Sequence, residues 1–414
     1  MSEESILGRK VKGLYKALCQ AEWNANTTGV IVALLTILVM AWWRPWGAVG
    51  AIRNWGDWMM YGFTSLIGTD AGIFGYYTEA PKGILSDTGS VIGIGFVAGA
   101  FVSACLGNDF ALRVPPVLEM CKGVVAGLLM GVGSTLAGGC NVGGFFNAIG
   151  NLSAHGFAMW FGLVIGVIIG LKYIYWEMEN VTWGSGGAKT IEFPKGLNFL
   201  LGLAALAALI AGTYIYAANE ESDYLASMGG LLIIAAGLGY SMQRGRWCMI
   251  QGFREPHMTG NCTMAKAVAL SIFIVALGAT VLKYGVPVRL DGDPVLDPIN
   301  YVRGTFGWGG VVGGIIFGLG AMLAGGCGTG TLWRVGEGQL KLWIAVPFFA
   351  ISNSIMTAWF NDMEFEADGV LGRSVYLPDV FGYGGTLLLI GVFLLTWYIT
   401  VDWNEESNKL IVEM

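Results

Sequence analysis

Ten apolar runs divide the 414-residue chain, at 27–43, 88–107, 117–138, 154–176, 196–217, 225–243, 264–286, 307–325, 339–360 and 382–401. At about 1.5 Å of rise per residue, a helix over each run crosses or nearly crosses a hydrocarbon core roughly 30 Å thick. Polar and charged residues gather between the runs and are sparse inside them. That distribution predicts spanning helices rather than amphipathic ones with a watered face.

Composition agrees: 55% hydrophobic residues, 13% charged residues and a mean hydropathy of +0.61 lie outside the soluble globular range. The 65 glycines suit helices that approach closely in lipid. Four basic residues (Arg9, Lys10, Lys12, Lys16) precede the first run, and no convincing small-residue cleavage site follows it. The start of the chain therefore reads as a basic cytosolic flank and a first spanning helix, not as a removed leader.

One pattern repeats within the chain. Val124 to Cys140 (VVAGLLMGVGSTLAGGC) and Val311 to Cys327 (VVGGIIFGLGAMLAGGC) agree at ten of seventeen positions without a gap, at an offset of 187 residues. That offset lays the third, fourth and fifth runs on the eighth, ninth and tenth, which gives two halves of five runs. An odd number makes the second half enter the membrane from the opposite side, so the expected fold is an all-α membrane protein with a five-plus-five inverted repeat. Its parts are a cytoplasmic segment 1–26, a first repeat 27–217, a second repeat 218–401 and a cytoplasmic tail 402–414.

Charge sets the orientation. With both termini inside, sixteen of the 23 basic residues fall on the cytoplasmic side and seven outside, as the positive-inside rule requires. The outer loops then carry Glu220, Glu221 and Asp223, and further on Asp362, Glu364, Glu366 and Asp368. Cys140 lies toward the outer face and Cys327 toward the inner one. No basic run suggests a nucleic-acid partner.

The residues after each repeated cysteine, Asn141 to Asn147 (NVGGFFN) and Gly328 to Arg334 (GTGTLWR), are too short and glycine-rich for ordinary loops. Irregular backbone at that depth is tolerated where protein buries it or a polar cavity borders it. Both read as re-entrant turns leading into short helices, whose N-termini can receive an anion. Gly139, Asn141, Gly326, Gly328 and Thr329 are the candidate contacts. A thiol adds a soft, weak donor suited to a sulfur- or selenium-bearing anion. A third cysteine, Cys248, follows Arg246 and precedes Arg254, and these arginines with Arg334 are further candidates for the anion. The aromatic-rich segment 44–80 is its loose counterpart in the first half and has no cysteine.

Blander readings compete. A buried free cysteine is usually a small hydrophobe, the expectation for Cys19, Cys105, Cys121 and Cys262. The arginines, Arg244 included, can be topology determinants alone, and His155 and His257 are read as interface residues. Spacing suggests neither a disulfide framework nor a metal site, and no haem or flavin motif points to a cofactor.

Four blocks carry a resemblance to a known family: Ala100 to Pro115, Leu136 to Phe146, Gln243 to Lys266 and Gly314 to Gly338. In these the chain resembles the YeeE/YedE family of bacterial sulfur-compound transporters, most of all its longer members associated with selenium metabolism. The resemblance implies an inverted-repeat helical fold in the inner membrane, with thiosulfate uptake in the best understood branch. It also implies a relay of the anion by cysteines, here Cys140, Cys248 and Cys327, and a cytosolic sulfur-carrier protein as acceptor. The long 44–87 segment departs from the thiosulfate branch and leaves the cargo open between thiosulfate and another sulfur or selenium species. Two other classes stay in view: a membrane thiol enzyme, either sulfurtransferase or oxidoreductase, using a lowered thiol pKa, and a pore in which the thiols are dispensable.

Overall fold

The computed structural model describes residues 6–412 except 69, 185, 221, 291–296, 298, 300 and 366–368. Glu221, Glu366 and Asp368, counted above among the outer acids, lie outside the described residues. Ten helices among the described residues are long and apolar enough to cross a membrane: Ala25–Trp42, Thr88–Gly107, Val117–Gly150, His155–Asn180, Lys195–Ala217, Asp223–Met258, Thr263–Arg289, Trp308–Gly336, Leu340–Asp362 and Leu377–Ser407. Each coincides with one apolar run. Side chains such as Leu200, Ile210, Leu388 and Leu395 project from them with more than half of their surface uncovered, as lipid-facing residues do. Exposed tryptophans stand near span ends at Trp42, Trp308 and Trp359, the usual place of an interfacial aromatic belt.

Among the described residues three spans break and continue in a short helix or turn, and a fourth, Leu377–Ser407, kinks at Gly382. Val117–Leu136 is followed, after a glycine turn, by the π-turn Asn141–Phe146 and the helical turn Asn147–Gly150. Trp308–Ala324 is followed by Gly328–Gly336, and Asp223–Arg244 by Met249–Met258. At matching places the chain turns through a left-handed glycine, Gly138 at φ 74° and Gly325 at φ 78°, a conformation glycine adopts without a Cβ penalty. The next helices then start from extended cysteines with almost the same backbone, φ −71° at Cys140 and −73° at Cys327, both with ψ −179°.

A further helix, Ala48–Ile67, lies in the segment read above only as aromatic-rich. Its residues Arg53, Asn54 and Asp57 give it a polar stripe too strong for a span, so an apolar-run search passes over it. The strands Ala111–Val114 and Lys189–Glu192 pair antiparallel, a small addition to the helical fold. Local polar residues start several helices: Asn24 accepts from the Asn26 N–H and Asp87 from the Ser90 N–H, as N-caps do.

The core is built on glycine contacts. Val117–Leu136 crosses Trp308–Ala324 where a methyl on Gly133 would lie 2.8 Å from the Gly313 carbonyl, and one on Gly320 3.0 Å from the Ala126 carbonyl. These two contacts exchange under the 187-residue offset. His155–Asn180 packs on Trp308–Ala324, and Leu340–Asp362 packs on Val117–Leu136. Apolar lipid gives helices no hydrophobic reason to associate, so such close backbone approach supplies the attraction.

A candidate anion path through three thiols

All three expected cysteines cap short helices in the interior. Cys140, Cys248 and Cys327 precede Asn141–Phe146, Met249–Met258 and Gly328–Gly336, and none is more than 1% exposed. The Cys248 and Cys327 sulfurs lie 3.5 Å apart. Cys140 packs on Gly328, where an added Cβ would meet its sulfur at 3.2 Å. Segments far apart in sequence thus form a contiguous row of Cys140, Gly328, Cys327 and Cys248.

Small residues make the row possible. At Gly330 a Cβ would lie 2.8 Å from the Cys248 sulfur and 3.2 Å from that of Cys327. Donors surround the thiols. The Gly330 N–H donates to the Cys327 sulfur at 3.2 Å, and the Thr329 hydroxyl is 3.4 Å from it. Backbone N–H groups of Val142, Gly143, Ala48 and Val49 face the Cys140 sulfur. Asn141 accepts from the Gly328 N–H at 3.3 Å, which fixes its amide orientation and leaves its buried Nδ2 without a partner. A buried donor without a partner is costly, and an anion beside it would remove that cost.

Two cavities flank the row: Cys140 borders the first directly, whereas the second is lined by Arg246 and Gln251, close in sequence to Cys248, and by no thiol among the described residues. One, of about 460 Å³, is lined by Cys140 and Gly139 and by Arg44, Arg53 and Arg303, with no acidic side chain among its described lining. The other, of about 500 Å³, is lined by Gly245, Arg246 and Gln251 and by the acids Glu22 and Glu255. Ala25 borders the second and Trp43 the first, so they open at opposite ends of Ala25–Trp42. That helix is about 27 Å long, and the thiols lie between.

The candidate arginines separate in space. Arg334 bonds the Gly325 carbonyl at 2.7 Å and stacks on Trp333 at 4.5 Å. Its guanidinium lies against Gly326, where a Cβ would clash with it, and 3.4 Å from the Cβ position of Gly330. Arg246 borders the second cavity and pairs with Glu337 at 2.6 Å. Arg254 pairs with Glu255 at 2.6 Å and is not part of either cavity lining. Arg244 is buried, bonded to Asp109 and the Cys19 carbonyl. His155 meets Ser153 at 2.7 Å and His257 the Leu410 carbonyl at 2.9 Å.

Sequence reading passed over several residues here. Arg44, Arg53 and Arg303 counted there only as outer charges, yet they converge on one cavity. Glu337 is fully buried and joins Arg246 to Arg113, which it meets at 3.3 Å. A signal for the Arg53 position did exist: Trp46 to Arg53 follows the spacing of Trp247 to Arg254, with Gly47 where the second half has Cys248.

Comparison with known proteins bears on the chain as a whole. The probable transporter YedE of Escherichia coli is 26% identical over 375 residues, covering 87% of each chain. The thiosulfate transporter TsuA of Escherichia coli is 40% identical over 126 residues, 30% of this chain and 33% of the relative. TsuA of Spirochaeta thermophila is 34% identical over 195 residues, 43% of this chain and 56% of the relative. The family model for sulphur transport matches residues 3–169 and 244–413, so the three cysteines and the short helices they precede lie within matched segments, and this membrane protein belongs to the sulphur transport family.

Proposed function

We propose that the chain carries a soft sulfur-containing anion of the thiosulfate class inward, across a bacterial inner membrane, by hydrogen bonds to Cys140, Cys327 and Cys248 in turn. The observation that carries this reading is the row of three buried thiols between two cavities at opposite ends of one spanning helix. The arginine-lined cavity collects the anion, since a cleft of one sign raises the local concentration of its counter-ion. The thiols then donate to it in turn, and a soft S–H donor suits a terminal sulfur better than a hard phosphate. Gly139, Asn141, Gly326, Gly328 and Thr329 form the walls, and Arg334 supplies positive charge beside the inner pair.

The charge count supports both termini being cytoplasmic, and the exchanging glycine contacts are those that two related halves of opposite orientation would make. In this reading Cys140 is the outer station and Cys248 the inner one, above the Arg246 cavity. A cytosolic sulfur-carrier protein would take the cargo there. TsuA is a thiosulfate transporter by name, which favours thiosulfate over selenite as the cargo.

The test is uptake of labelled thiosulfate and of selenite into proteoliposomes, with wild type beside Cys140→Ala, Cys248→Ala and Cys327→Ala. Thiosulfate uptake is expected in wild type and to fall at least tenfold in each variant. Undiminished uptake in all three would refute the thiol path and favour a pore. Net conversion of thiosulfate by the purified protein, without accumulation, would favour the enzyme reading.

A further inference from the structure

Cys248 has no cysteine counterpart in the first half, and the place it would hold is not empty. On the inner side the Cys248 sulfur lies 2.8 Å from the Cβ position of Gly330, three residues after Cys327. The matching glycine, three residues after Cys140, is Gly143. There the neighbouring atom is the Tyr301 hydroxyl, 2.9 Å from the Cβ position. A phenol on the outer side stands where a thiol stands on the inner side.

Gly47 confirms the correspondence from its own side. It caps Ala48–Ile67 as Cys248 caps Met249–Met258, with extended backbone at both (φ −164° and −146°) that any residue adopts. A Cβ on Gly47 would meet the Tyr301 hydroxyl at 3.5 Å and the Gly143 Cα at 3.6 Å, ordinary contact distances. Without a side chain at Gly47, the ring of Tyr301 has room to bring its hydroxyl into that space. Tyr301, Gly47, Gly143 and Cys140 all border the arginine-lined cavity.

We propose that the Tyr301 hydroxyl is a fourth station of the anion path, donating to the anion between the arginines of the outer cavity and the Cys140 thiol. The proposal rests on the thiosulfate-path reading above. Among the described residues the hydroxyl bonds only the Trp46 carbonyl, at a long 3.4 Å, so turning to an anion sacrifices little. Burial raises its pKa, which keeps the proton available. A phenol is a stronger donor than a thiol, so the outer end is the tighter one.

Thiosulfate uptake by the full chain in proteoliposomes, measured for wild type, Cys140→Ala, Tyr301→Phe and Tyr301→Phe with Gly47→Cys, tests this. Tyr301→Phe should lose roughly tenfold in kcat/KM, the scale of one hydrogen bond to a charged group, chiefly through KM. Gly47→Cys should return much of it by placing a thiol where the phenol was. Tyr301→Phe uptake at the wild-type KM while Cys140→Ala is silent would overturn the proposal and leave the thiol path standing. A loss that Gly47→Cys does not repair would overturn it too, as the mark of a packing role. Wild-type protein that carries no thiosulfate would overturn the path reading and this proposal together.

Discussion

Gly330→Ala probes the closest approach on the proposed path with one carbon atom. Its Cβ would lie 2.8 Å from the Cys248 sulfur, 3.2 Å from the Cys327 sulfur and 3.4 Å from an Arg334 guanidinium nitrogen. Non-bonded carbon contacts are optimal at about 3.5–4.0 Å, so the nearer sulfur must retreat by most of an ångström. All three neighbours sit on short helices or turns packed into the core, and none is the free end of a flexible exposed chain. Over-packing of that kind costs about 1–3 kcal/mol. If the strain falls on the occupied path, it slows uptake by roughly 5- to 150-fold. Thiosulfate uptake into proteoliposomes and thermal unfolding in detergent would be measured together, with Gly196→Ala, whose Cβ meets nothing within 4 Å, as the control. Reduced uptake in Gly330→Ala with the control at wild-type rate is the expected result. Wild-type uptake in Gly330→Ala at unchanged stability would refute the claim that the anion passes between these thiols.

Other outcomes follow from the same geometry. Arg44→Glu or Arg303→Glu should raise the KM for thiosulfate about tenfold and flatten its dependence on ionic strength, because long-range steering is what salt screens; an unchanged salt profile would argue against a collecting role. Glu337→Gln should lower stability by about 1–3 kcal/mol in thermal unfolding, less than for a wholly buried pair because Arg246 and Arg113 each keep 37% of their side-chain surface exposed. An unshifted midpoint would show that the two arginines find water instead. For topology, a reporter after Glu220 is expected outside and one after Lys189 inside, and the reverse pattern would invert the direction of the path.

Apolar runs were legible along the chain because lipid is a uniform solvent: a span needs only length and apolarity, and both are local properties. The same holds for the duplicated Leu-Ala-Gly-Gly-Cys, since glycines and a cysteine at matching turns leave a trace that survives in the linear sequence. Ala48–Ile67 was not legible as a helix by that criterion, because its polar stripe meets protein and a cavity instead of lipid, with Asn54 buried and bonded to the Lys82 carbonyl, Asp57 bonded to Ser354 and Arg53 on the cavity. Nor was the division among the arginines. Arg246 and Arg254 share a segment, but one meets Glu337 and the other Glu255, and only the second acid is a sequence neighbour.

By itself the sequence determined that the chain is a ten-span helical membrane protein with a repeated cysteine turn, since those features depend on residues close together along the chain. Tertiary structure decided which polar groups meet: Cys248 against Cys327, Asn141 on Gly328, three distant arginines around one cavity, and the Tyr301 hydroxyl beside Gly47. Apart from Arg44 and Arg53, which share one segment, these neighbours lie 79 to 259 residues apart in the chain, and glycine-to-backbone packing of whole helices, not local preference, brings them together.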